Sequence, residues 1–286
     1  MAARLIDGKA LAERIRGEIA EEVRELGEIG LATVLVGDDP ASDIYIRLKH
    51  KAAAEVGINA KDIRLASQTT EEELLAQVAE LNADDSIDGL LVQLPLPDHV
   101  DEARVIRAIE PVKDVDGLHP LNFGQLVLGR PGHVGATPVG IMRLLEEYDV
   151  QLEGAGAVVV GRSDIVGKPA ALLLLHQNAT VTVCHSRTRD LGSVTREADV
   201  VVVAVGRANV IGPDDVREGA TVIDVGMNRG DDGVVGDVDP ATAERAGLIT
   251  PVPGGVGPMT IAMLLASAVK AAKYRRGILA FPGVGR

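Results

Sequence analysis

The chain has 286 residues and a formal net charge of −13 at pH 7; 46% of its residues are hydrophobic but only 2% are aromatic. Its length favours two domains, and its acidic balance repels a phosphate backbone, which argues against nucleic acid as a partner. The one cysteine, Cys184, excludes an internal disulfide or a cysteine-rich metal site and suits a reducing compartment, with the cytoplasm as the default.

Residues 1–20 alternate charged and apolar side chains and lack the continuous apolar stretch of a signal peptide. Apolar residues at helical spacing over 11–26 predict a first helix, and the β-branched run 31–37 predicts a buried strand. A helix over 41–56 and a strand over 62–66 follow. Thr70 with Glu73 three residues on is the capping-box signature of a further helix. Residues 87–94 supply a third strand and 101–109 a short helix. Residues 111–134, rich in Pro, Gly, Asp and His, lose periodicity and are expected to form a functional loop. Thr137 as N-cap and Pro138 at the first helical position predict a helix to about Tyr148 that bridges the domains.

The alternation then restarts: strands over 157–160, 180–184, 200–205 and 221–225, with a helix over 168–177 after the first of them. Strands alternating with helices predict parallel sheets in both halves. A last helix over 258–273 is expected to return to the first domain. The most apolar run, 200–205, is too short to span a bilayer, so no membrane insertion is expected.

The first strand of the second half runs into Gly161-Arg162-Ser163-Asp164-Ile165-Val166-Gly167-Lys168-Pro169 and then an apolar helix. A strand, a Gly-rich turn and a helix N-terminus let backbone N–H groups approach a pyrophosphate. Ser163 replaces the second glycine of the usual fingerprint, so an ordinary strand-to-helix turn accounts for the same residues. The next strand ends in Cys184-His185-Ser186-Arg187, where an NAD enzyme usually places a carboxylate for the ribose 2′-hydroxyl. Ser186 and Arg187, with Arg162, could instead take a 2′-phosphate, which favours NADP. A merely solvated Arg187 is the alternative.

In the first half, Tyr45 and Lys49 stand at i and i+4 on one predicted helix. The run Arg47-Leu48-Lys49-His50-Lys51 crowds positive charge, which with burial would lower a lysine pKa into a range useful for proton transfer. A solvated basic face is the plainer reading. Gln93 follows a predicted strand, where clefts of α/β sheets open. In Lys113-Asp114-Val115-Asp116-Gly117 a carboxylate could pair with adjacent N–H donors such as a pterin edge, although paired Asp before Gly also form turns. The six His and one Cys show no metal-ligand spacing.

In order and spacing, residues 45–57 (YIRLKHKAAAEVG), 89–97 (GLLVQLPLP), 113–117 (KDVDG), 161–169 (GRSDIVGKP) and 251–260 (PVPGGVGPMT) resemble the bifunctional methylenetetrahydrofolate dehydrogenase/methenyltetrahydrofolate cyclohydrolase family, from about Gly8 to the last helix. The resemblance implies an α/β chain of two domains. An N-terminal catalytic domain, 1–137, is completed by the C-terminal helix 258–286, and a Rossmann-type NADP-binding domain spans 138–257. It implies Lys49 as the key catalytic lysine, positioned by Gln93, with Tyr45 lining the folate pocket and Asp116 binding the pterin. Gly255, Val256, Gly257 and Pro258 would close over the substrate. Gly161, Arg162 and Ser163 would cradle the cofactor phosphates, Ser186 would serve the 2′-phosphate, and Met227 would meet the cofactor through its backbone.

The implied activity is NADP-dependent oxidation of a tetrahydrofolate one-carbon derivative followed by its hydrolysis, in a cytoplasmic homodimer. The chain departs from the family at Ala136, where cysteine is often found, and at Ser267-Ala268, where Asn-Thr is common. An NADP-linked oxidoreductase for another small substrate and a non-catalytic dinucleotide-sensing module are the alternatives.

Overall fold

A computed structural model describes residues 3–230 and 233–282. They divide into two compact units: residues 14–136 with 261–282, and residues 3–13 with 137–260.

In chain order the elements begin with β1 (Arg4–Leu5), α1 (Gly8–Leu26), β2 (Gly30–Val36), α2 (Pro40–Glu55), β3 (Asn59–Leu65), α3 (Glu71–Ala83) and β4 (Gly89–Val92). Next come α4 (Glu102–Ala108), α5 (Pro120–Val127) and α6 (Ala136–Glu147). The second half holds β5 (Gly156–Val160), α7 (Gly167–His176), β6 (Thr180–Cys184), α8 (Leu191–Thr195), β7 (Val200–Val203) and β8 (Thr221–Asp224). It closes with β9 (Asn228–Gly230), β10 (Gly233–Val235), β11 (Leu248–Ile249) and α9 (Val256–Arg275).

In the first unit a parallel sheet of order β3-β2-β4 is centred on β2, every residue of which is buried. Buried side chains of β2, α3 and β4 form one core with Val100, Val105 and Ile109. The Thr70–Glu73 capping box is present, with both reciprocal bonds made. Beyond β4 a parallel bridge between Leu90 and Asp114 continues the sheet by one further step. α9 supplies this unit with buried Ala268 and Val269, and its polar end is fastened there: Lys270 Nζ donates to Gly132 O at 2.5 Å, Lys273 pairs with Glu22, and Arg275 donates to Ile87 O and to the buried Asp88 at 2.8 Å. The expected return of the last helix is therefore seen.

The second unit carries a parallel six-stranded sheet of order β1-β11-β8-β7-β5-β6, whose inner strands β7 and β8 are wholly buried. α7 packs on β5 and β6. β9 and β10 form an antiparallel hairpin outside this sheet. The two-residue β1 pairs with β11, which places residues 3–13 with the second unit; nothing in so short a segment signals a strand.

Two sequence expectations differ from the structure. The segment expected to be all loop contains α5, which Pro120 opens at the first helical position while the His119 ring accepts the Leu121 N–H at 3.1 Å. α6 begins at Ala136, so Thr137 is inside its first turn, bonded through its hydroxyl to Thr260 at 2.9 Å, instead of being the cap. α9 has the length and composition of a membrane span. Its Met259, Ala262, Leu264, Leu265, Ala268 and Ala271 are nevertheless buried in the protein, as in a core helix.

Candidate active site

α2 turns a stripe containing Ile46, Lys49 and Ala53 inward, the i, i+3 and i+7 positions of one helical face. The solvated-face reading holds for the neighbours: Arg47 is exposed and pairs with Asp43 at 2.8 Å, and Lys51 is exposed. It fails for Lys49, which is 8% exposed. One residue on, His50 shares a 2.6 Å hydrogen bond with Thr33 of β2 and ties α2 to the sheet beside the lysine. Loss of water pulls the Lys49 pKa below its ordinary value, and the charge of Asp116 works against that fall.

Lys49 Nζ donates to Gln93 Oε1 at 3.0 Å. Gln93 is the first residue after β4; its backbone N–H donates to Val34 O and its Nε2 to Leu94 O, both at 2.8 Å. The amide is thereby held with its oxygen toward the lysine. Tyr45, one turn before Lys49, is half-buried, and burial pushes its phenol upward.

The Lys113–Gly117 segment divides its labour. Lys113 is buried and donates to the carbonyls of Leu81, Asn82 and Asp84 at 2.7 to 3.1 Å, closing the C-terminus of α3. Asp114 is also buried, accepting from His119 N–H at 2.8 Å and Asn122 Nδ2 at 2.9 Å, so the turn-building alternative describes it. Asp116 is the member that acts on Lys49. Burial pushes its carboxyl up to about 6; the Lys49 charge works against that rise and the Asp114 charge adds to it. Lys49, Gln93 and Asp116 thus gather at the carboxyl edge of the sheet, where β3 and β4 lie on opposite sides of β2 and a cleft is expected.

In the second unit the corresponding switch point lies at β5, flanked by β6 and β7. Gly161 ends β5 with φ +127°, and a side chain there would collide with the Ala204 carbonyl just after β7. Ser163 Oγ accepts the N–H groups of Val166 and Gly167 at 3.2 and 3.3 Å, so it organises the start of α7. Val160 and Cys184 are register partners, which sets Gly161 beside the turn holding Ser186 and Arg187. Arg162, Ser186 and Arg187 are all exposed. Asp190, the nearest carboxylate after β6, accepts the Ser193 N–H at 3.2 Å as the cap of α8. A glycine approach, a helix start and cations without a ribose-directed acid fit a dinucleotide bearing a 2′-phosphate.

Met227, 49% exposed, follows β8. A side chain on Gly257 would stand 3.7 Å from its sulfur, so the structure brings these two expected residues together. Gly255 is buried and its N–H donates to Pro251 O at 2.8 Å, while Val256 and Gly257 already belong to the first turn of α9, which starts two residues before the expected Pro258. Sequence reasoning passed over Asp224 and Asp237, two buried carboxylates at the ends of the strand region around Met227. Their one signal is that Gly236-Asp237-Val238-Asp239 repeats the Asp-Val-Asp of residues 114–116. Among the described residues no three His, Cys, Asp or Glu side chains converge as metal ligands.

Residues 6–116 match the family model for the tetrahydrofolate dehydrogenase/cyclohydrolase catalytic domain, and residues 135–276 match the model for the NAD(P)-binding domain of the same family. The bifunctional protein FolD of Halothermothrix orenii is 58% identical to this chain over 278 residues, 95% of this chain and 98% of its own. The crystal structure of the bifunctional enzyme FolD from Campylobacter jejuni, a methylenetetrahydrofolate dehydrogenase/cyclohydrolase, superposes with a TM-score of 0.94 at 49% identity, covering 96% of this chain and all of that one. The Trypanosoma brucei enzyme, complexed with NADP cofactor and an inhibitor, gives 0.93 at 40% identity over 98% of this chain and 100% of its own.

Proposed function

Because the chain belongs to the tetrahydrofolate dehydrogenase/cyclohydrolase family, we propose that it oxidises 5,10-methylenetetrahydrofolate to the 5,10-methenyl compound with NADP and hydrolyses that product to 10-formyltetrahydrofolate. The observation that carries the reading is Lys49, a buried amine held by Gln93 and opposed by Asp116. We assign the folate to the unit that contains Lys49 and the dinucleotide to the unit that contains Gly161.

Bound NADP would supply the hydride acceptor. The methenyl product carries a positive charge, so a protonated lysine beside it would be repelled, and burial that favours the neutral amine removes that conflict. Neutral Lys49 takes a proton from the water that adds to the bridging carbon and returns one to the ring nitrogen as its bond to that carbon breaks. Gln93 fixes the amine through its locked amide, and Tyr45 lines the folate pocket. Asp116 accepts from the adjacent N–H groups of the pterin, and the family resemblance assigns Gly255, Val256, Gly257 and Pro258 to the substrate.

Gly161, Arg162 and Ser163 bind the cofactor phosphates, Ser186 and Arg187 the 2′-phosphate, and the Met227 backbone the remainder. A homodimer in the cytoplasm completes the proposal, with sedimentation velocity as the test of its assembly.

The deciding assay supplies the purified protein with 5,10-methylenetetrahydrofolate and either NADP or NAD, and quantifies reduced cofactor, methenyl and 10-formyl products separately. Reduction of NADP with onward formation of the 10-formyl product is expected. No reduction with either cofactor would overturn the proposal.

A further inference from the structure

Asp224 and Asp237 are 4% and 0% exposed, and each charge is met by three N–H donors. Asp224, the last residue of β8, accepts from the backbones of Gly226 and Asp237 at 2.9 Å and of Val238 at 3.0 Å. Asp237 accepts from Val205 at 2.6 Å and Gly206 at 2.9 Å through one oxygen, and from Asn228 Nδ2 at 2.8 Å through the other. The packing leaves no slack, since a side chain on Gly236 would overlap the Asp224 carboxylate. Two segments that leave the sheet at the carboxyl ends of β7 and β8 are thereby tied to one buried group. Met227 sits between two of the tethered residues, Gly226 and Asn228.

We infer that Asp237 is a positioning residue that sets the wall of the dinucleotide crevice formed after β7 and β8, and that it acts through Val205, Gly206 and Asn228 without touching the cofactor. The inference rests on the proposed NADP site. In a sheet with its switch point at β5, the Gly161 turn and the Ser186-Arg187 turn serve one half of a dinucleotide, and the ends of β7 and β8 lie on the side left for the other half. Two buried carboxylates side by side cost stability that an apolar pair would not, which is reasonable where backbone N–H groups must be aimed.

The test uses the whole protein with two probes, NADP and 2′,5′-ADP, the adenosine half that carries the 2′-phosphate, both titrated by calorimetry. Asp237→Asn keeps the shape but removes the charge. Its Kd for NADP should rise roughly tenfold, the scale of one charge-assisted hydrogen bond, while the Kd for 2′,5′-ADP moves less than about twofold. In turnover the ratio of NADP reduction to methenyl hydrolysis should fall with it. Asn228→Ala, which removes one donor to the same carboxylate, should act in the same direction by roughly threefold and carries the comparison if Asp237→Asn does not fold.

Equal weakening of both probes, or no change in either, would overturn the inference while leaving the proposed function standing. Wild-type protein that bound neither probe would overturn both.

Discussion

Replacing Asp116 by Asn should stabilise the protein while disabling it. The carboxyl is pushed from 3.8 up to about 6, about two pH units, which at 1.36 kcal/mol per unit is about 3 kcal/mol. The direction follows from proton counts. Between about pH 4 and pH 6 the native state holds a proton that the unfolded chain has released, so wild-type stability falls as pH rises through that window. Asn has no proton to lose and escapes the fall.

Part of the gain is returned, because Asp116 supports the charge on buried Lys49 and Asn does not. The net gain should therefore be about 1–3 kcal/mol at pH 8 and about half as much at pH 5. Urea titrations of both proteins at the two pH values, followed by circular dichroism, measure it. Methenyl hydrolysis should fall by about 100-fold in the same variant. A variant no more stable than wild type at pH 8, or a gain equal at both pH values, would refute the argument from burial.

Lys49→Met should retain the circular dichroism of the wild type yet lose methenyl hydrolysis by about 10²–10⁴-fold; a folded variant that hydrolyses normally would remove Lys49 from the mechanism. In the wild type, hydrolysis should rise with pH as Lys49 deprotonates, with its midpoint below the ordinary lysine value of 10.5. Arg187→Ala should weaken NADP more than NAD in parallel titrations, and an equal loss would take Arg187 off the 2′-phosphate. Arg275→Ala strips the buried Asp88 of its 2.8 Å partner and should lower the stability read by urea by about 2–3 kcal/mol; a change under about 0.5 kcal/mol would mean that Arg276 and water replace it.

Much of this was legible because the physics is local. β6 was read at its true limits, since Thr180, Val181, Thr182 and Val183 give an unbroken β-branched run before Cys184. The α3 start was legible because its cap needs only Thr70 and Glu73. What escaped depends either on a distant partner or on a local cap whose residues read as loop. β1 exists only because β11 is there to pair with it. α5 hides in a Pro- and Gly-rich stretch because its entry relies on a proline and a histidine ring.

In the site, spacing alone could not separate Lys49 from Lys51, nor Asp116 from Asp114. Burial and partners separate both pairs, and each depends on how helix and sheet are faced. Lys113 belongs to the motif in sequence but to the α3 terminus in space.

The residues that complete the first unit come from α9, near the very end of the chain. During synthesis from the amino terminus, β2, β3 and β4 leave the ribosome long before Ala268 exists to lie against Gly89, or Arg275 to neutralise Asp88. The sheet that is made first is thus covered last, and a messenger truncated shortly before the last helix would yield a product in which β2, β3 and β4 are left open.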